Sequence, residues 1–139
     1  MNMELKKIEL TVPADRNMML IIRMTTSGVM SRVGFTLDEM DDMKMAVDEA
    51  CNLMLLQKPG CDMLYIWYTY DDTAVSVHVE GRDIQEATDG EKPDANMQEV
   101  IRCILESIVD EVSITPRKDG STESVCLKKY IPNTRRSAV

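Results

Sequence analysis

TLDEMDDMKMAVDEACNLMLL, residues 36–56, decides how the rest of the chain is read. Thr36 can accept a hydrogen bond from the amide of Glu39 while the Glu39 side chain reaches back to the amide of Thr36. This reciprocal cap satisfies two of the donors that a helix start leaves open. Lys58, Pro59 and Gly60 close the stretch, because proline cannot continue a helix and disfavours helical geometry in the residue before it. About five turns fit between these marks. Met40, Met43, Val47, Ala50, Cys51 and Met54 recur at intervals of three and four and form one apolar stripe, the face that belongs on a core. A second row, Met45, Glu49, Leu53 and Leu56, is mostly apolar but carries one carboxylate. That row is either simply buried or lines a pocket.

The bulk properties fit a single globular domain. A chain of 139 residues can bury about 68 to 70 percent of its unfolded surface. Its 44% hydrophobic and 29% charged residues are ordinary, whereas 12 methionines and only 4% aromatics give a core able to fill irregular gaps. A net charge of −8 argues against direct nucleic-acid binding, which rests on neutralising phosphates with lysine and arginine. No apolar run approaches the ~20 residues of a membrane span, and MNMELKKIEL lacks the apolar region of a secretory signal, so a cytoplasmic protein is expected. Cys51, Cys61, Cys103 and Cys126 are scattered, and His78 is the lone histidine. Neither a zinc site nor a disulfide framework follows from that spacing, and four buried or half-buried free thiols are expected.

Around the central helix the chain reads in order as βααββαββ. Leu5, Ile8, Leu10 and Val12 suit a first strand stopped by Pro13. Met19, Ile22, Thr26, Val29, Met30 and Val33 give a helix ending at Gly34, with Phe35 placed to pack against Met40. Residues 63–70 and 73–80, parted by Asp71 and Asp72, form a hairpin. Val75, Val77 and Val79 point to one face of it, and Ser76, His78 and Glu80 to the other, which leaves His78 exposed. Residues 81–96 read as a long loop, of a length often tied to function. A helix over residues 97–108, capped by Asn96, and two further strands over residues 109–115 and 124–131 complete the order. The expected fold is an α/β two-layer sandwich, a mainly antiparallel mixed sheet covered on one face by three helices. Residues 1–131 form the domain, and residues 132–139, with Arg135 and Arg136, a flexible basic tail. Asp38, Glu39, Asp41 and Asp42 either complement the helix dipole or face a basic protein.

The run FTLDEMDDMKMAVDEAC, residues 35–51, resembles the region up to and including the N box of the anti-sigma factor serine kinases. These belong to the GHKL, or histidine-kinase-like ATPase, superfamily with the Bergerat fold. Lys44, Ala46, Val47, Glu49 and Ala50 fall on the family's K-x-A-V-x-E-A pattern. Asp110, Glu111 and Val112 resemble its entry to the penultimate strand, and Gly120, Ser121 and Thr122 followed by residues 125–129 its closing hairpin.

The resemblance implies a cytoplasmic homodimer whose partners are a sigma factor or an anti-sigma antagonist, and it carries Glu49 over as the general base. At the position of the asparagine that helps hold Mg²⁺ the chain has Leu53, whose aliphatic side chain cannot coordinate a hard cation. Asn52 is adjacent but rotated by ~100° around the helix. Gly81 stands where the adenine-reading aspartate is expected; Glu80 has the wrong strand parity, and Asp83 lies two residues too far. Glu99 and Ile101 replace glycines whose amides would approach the phosphates. Fold-forming positions are kept while nucleotide positions are degraded. The expectation is a regulatory protein with little or no ATP turnover, no cofactor and no resident metal. The alternative is an active protein serine kinase using ATP and Mg²⁺, with Glu49 as base and Asn52, Glu80 or Asp83 at the nucleotide.

Overall fold

The computed structural model describes residues 4–88, 90, 92–132 and 135. The strand β1 (Lys6–Pro13) is followed by a turn of 3-10 helix at Arg16–Met18 and the helices α1 (Met19–Val33) and α2 (Leu37–Leu56). Then come β2 (Cys61–Tyr70), β3 (Ala74–Ile84), α3 (Ala95–Ile108), β4 (Glu111–Pro116) and β5 (Thr122–Tyr130). The expected order of elements is found. The strands form one sheet in the order β1-β2-β3-β5-β4. Every neighbouring pair is antiparallel, so the sheet is not mixed: the crossover through α3 puts β4 outside β5 rather than beside β3.

The sheet buries one face. Leu64, Ile66 and Tyr68 of β2, Val75, Val77 and Val79 of β3, and Val125 and Leu127 of β5 are all fully buried and share a core with Ile22, Met30, Met43, Val47, Met54 and Leu105 of the helices. The alternation of these positions puts their neighbours, among them Tyr65, Trp67, His78 and Cys126, on the opposite face. Burial of each large aliphatic side chain contributes about 1.5 to 3 kcal/mol. A polar contact crosses this core: the hydroxyls of Thr26 and Tyr68 lie 2.9 Å apart, and Thr26 also donates to the carbonyl of Ile22 at 2.8 Å. Burial pushes the Tyr68 hydroxyl up to about 12, so it stays a neutral hydrogen-bonding group.

Local signals account for the helix limits. The reciprocal cap at Thr36 and Glu39 forms, with bonds of 2.8 and 3.2 Å. Gly34 ends α1 in the left-handed conformation, φ 98°, where a β-carbon would be strained. Four expectations shift. The β3 strand continues through Ile84, so the loop is shorter than residues 81–96. The cap of α3 is Asp94, which accepts from the Met97 amide at 3.0 Å; Ala95 and Asn96 are already helical, because either carboxylate or amide can cap and Asp94 comes first. Cys103 is exposed rather than buried, and His78 is half-buried rather than exposed. Of the expected tail, residues 133, 134 and 136–139 lie outside the described residues; Arg135 pairs with Glu39 through two bonds of 2.6 and 2.7 Å.

Candidate functional site

The second row on α2 separates in three dimensions. Leu53 is fully buried, Met45 and Leu56 are each 51% exposed, and Glu49 is half-buried. Helical geometry explains this: Leu56 points within about 20° of Met45, while Leu53 is rotated by about 80° from it, into the core. Row and stripe therefore do not define two clean faces. Glu49 makes no hydrogen bond or ion pair among the described residues. Beside it, Asp48 accepts two bonds from Arg23 of α1 at 2.8 and 3.0 Å, and Asn52 accepts one from Arg16 at 3.3 Å. Glu49 and Asn52 thus share the outer side of α2, with the Asn52 oxygen engaged.

The other candidate residues do not join them. Glu80 pairs across the sheet with Tyr65 and Ser124, on the face opposite the helices, and binds Arg82 at 2.9 Å. Asp83 is exposed and holds φ at 55°, an uncommon conformation for a residue with a side chain. Gly81 lies on the helix side, opposite Leu64. A β-carbon there would come 3.1 Å from the Cys61 sulfur and 3.4 Å from Nη2 of Arg117. Burial pushes the Cys61 thiol up, partly offset by the Arg117 charge.

Arg117 and its neighbours were not legible as functional in the sequence. They belong to the turn between β4 and β5. Arg117 donates through Nη1 to the Ser121 hydroxyl at 3.1 Å, and its amide donates to the Ser121 carbonyl at 2.7 Å. Nη2 is shielded from solvent without an acceptor among the described residues. Gln57, 2% exposed, follows α2 and binds both backbone groups of Thr122: its amide nitrogen donates to the carbonyl at 2.7 Å and its oxygen accepts from the N–H at 2.8 Å. Gln98 of α3 donates to the Gly120 carbonyl at 2.9 Å. Between α3 and this turn lies a cleft of about 340 Å³ lined by Ala95, Gln98, Glu99, Arg102 and Pro116 among others. It faces the amino-terminal part of α3, where Glu99, one residue beyond the first turn, sets a carboxylate against any phosphate.

These donors fit Mg²⁺ poorly. A hard cation asks for several oxygen ligands; Leu53 offers none, and no cluster of three candidate ligands occurs among the described residues. The acidic start of α2 is largely neutralised from within. Asp41 pairs with Lys44, Asp42 with Lys129, and Glu39 with Arg135, which holds the Glu39 carboxyl down at about 2. On the open face of the sheet, Trp67 stacks on His78 with centroids 4.4 Å apart, and the Cys126 sulfur lies 3.5 Å from the imidazole. Burial lowers the His78 pKa and burial raises that of Cys126, so neither is primed as a charged catalyst. Among the described residues no helix is long and apolar enough to cross a membrane.

No protein-family model matches the chain. It is similar in part to curated relatives. It is 50% identical over 46 residues, 33% of this chain and 29% of the relative, to the serine-protein kinase RsbW of Bacillus mycoides (strain KBAB4). It is 57% identical over 44 residues, 32% of this chain and 28% of the relative, to the serine-protein kinase RsbW of Bacillus subtilis (strain 168). The RsbW of Bacillus thuringiensis (strain Al Hakam) is 48% identical over 46 residues, 33% of this chain and 29% of the relative. Each match thus spans less than a third of the relative's own length.

Proposed function

We propose that this chain is a regulatory protein of the anti-sigma factor kind, which binds a sigma factor or an anti-sigma antagonist with little or no ATP turnover. In this reading it works in the cytoplasm as a homodimer and keeps the scaffold of a histidine-kinase-like ATPase, the Bergerat fold, while its nucleotide chemistry has lapsed. One observation carries the proposal: Leu53, at the position of the metal-holding asparagine, is fully buried in the core. An aliphatic side chain there supplies no oxygen to Mg²⁺, and phosphoryl transfer depends on the metal for positioning and charge neutralisation. The replacement of the adenine-reading carboxylate by Gly81 points the same way. The partial similarity to kinases named RsbW supports the family side of the reading.

The experiment is thermal unfolding with and without Mg²⁺ and ATP. A native state that binds nucleotide gains about 2.7 kcal/mol at a hundredfold excess over the dissociation constant. The expected result is no shift, together with co-purification of a sigma factor or its antagonist. A Mg²⁺-dependent shift sinks the proposal.

A second reading, an active protein serine kinase, draws on Glu49. This carboxylate is half-buried on α2 and has no protein partner among the described residues, which leaves its oxygens open to a substrate hydroxyl. Transfer of labelled phosphate from ATP to a serine of a co-purified antagonist, lost in Glu49→Gln, would establish that reading.

A further inference from the structure

Arg117 is an odd residue to find folded inward. A guanidinium cannot shed its charge, and a buried donor without an acceptor costs free energy that a solvated one does not. Nothing in the turn forces the side chain in, since Lys118 and Asp119 beside it are exposed. Yet Nη2 is out of solvent and unpartnered among the described residues, within van der Waals distance of the point that a side chain on residue 81 would occupy. Its approach is fixed at three points: Nη1 on the Ser121 hydroxyl, Gln57 on both backbone groups of Thr122, and Gln98 on the Gly120 carbonyl. The turn that carries Arg117 is therefore fastened to both α2 and α3.

We propose that Arg117 is an internal plug, which seats its guanidinium where an adenine base would meet residue 81 and so closes the site against adenine nucleotides. The proposal rests on the reading above, that the chain has lost nucleotide chemistry, and names the group that now fills the space. Adenine offers an exocyclic amine, a donor, and requires an acceptor such as a carboxylate opposite it. Gly81 withdraws that acceptor, and Arg117 places a nitrogen donor of its own against the vacated position. The two changes are complementary. A carboxylate at residue 81 would find the guanidinium first, and a glycine there leaves room for the guanidinium to approach.

The test uses the full chain and adenosine diphosphate without metal, so that base recognition is separated from Mg²⁺ binding. Melting temperatures are compared for the parent, Gly81→Asp, and Gly81→Asp combined with Arg117→Ala. Parent and single variant are expected to ignore the nucleotide, the latter because Arg117 neutralises the new carboxylate. The double variant is expected to rise by about 5 °C or more at saturating nucleotide. It should not respond to guanosine diphosphate, whose keto oxygen would face the carboxylate acceptor to acceptor. A cooperatively folded double variant indifferent to adenosine diphosphate overturns the plug and leaves the preceding reading standing. A parent that shifts with Mg²⁺ and ATP overturns that reading and the plug with it. Should the double variant fail to fold, Arg117→Met decides: it keeps the stem and removes the unpartnered donor, and is expected to melt within about 3 °C of the parent. A fall larger than that of Ser121→Ala, which also deletes the Nη1 bond, shows that the guanidinium is held by a bond the plug does not include, and overturns it.

Discussion

At its amino end α2 is held by charge at the surface: Thr36 and Glu39 cap each other, and Arg135 grips the Glu39 carboxylate. At its carboxyl end it is held by neutral groups inside the molecule, where Gln57 binds the backbone of Thr122, 65 residues on, and Leu53 sits in the core. The first fastening joins near neighbours at the cap and residues 96 apart at the ion pair, all at the surface; the second joins residues 65 apart inside the molecule. Water can replace the partners at the amino end. None can reach those at the carboxyl end, so the same number of lost hydrogen bonds has unequal consequences.

The largest effect expected is at the buried end. Leu53→Asn removes packing and buries an amide in one step, and chemical denaturation should show a loss of about 3 to 5 kcal/mol. The variant gains a metal-ligating oxygen in name, but if the proposed plug holds, its melting point should not respond to Mg²⁺ and ATP. Gln57→Ala strands an N–H and a carbonyl together and should cost about 2 to 4 kcal/mol by the same measurement. Were Gln57→Ala no worse than Thr36→Ala, the contrast between the two ends would be lost.

At the solvated end Thr36→Ala should cost about 1 kcal/mol, the ordinary worth of a helix cap. Arg135→Ala should cost less again, because the Arg135 side chain lies at the surface and solvent screens the pair. Its sign with pH is fixed by Glu39, whose folded pKa of about 2 lies below the ordinary 4.5. Stability from the pair is fully present above pH 4.5 and is lost as the pH falls through about 2. The gap in melting temperature between parent and Arg135→Ala should therefore close on acidification, while the gap for Gln57→Ala, a neutral contact, stays open.

The same contrast marks what could be read from the sequence. The cap of α2, the left-handed Gly34 and the alternation of Val75, Val77 and Val79 depend on residues a few positions apart, and each is found as expected. Where competing local signals were close, the boundary moved: Asp94 displaced Asn96 as the cap of α3, and β3 ran on to Ile84 through the glycine taken for the start of a loop. The candidate site was less legible. The parity of β3 placed Gly81 and Glu80 on opposite faces, as observed, but the four-residue spacing on α2 put Leu53 with Met45 and Leu56, and the core took Leu53 alone. Arg117 and Gln57 carry no local signature at all. An arginine in a polar turn and a glutamine after a helix are the residues one expects at a surface, and only the approach of the β4–β5 turn to α2 gives them a role.

The stacked pair on the open sheet face has a practical consequence. Trp67 is the single tryptophan of the chain, and it lies flat on an imidazole whose neutral form burial favours. Its emission is thus a built-in optical gauge of that surface alone. Acidifying the solution charges the ring beneath the indole, and anything that settles on the open face changes the indole's surroundings, whereas events at α2, behind the sheet, leave it dark to them.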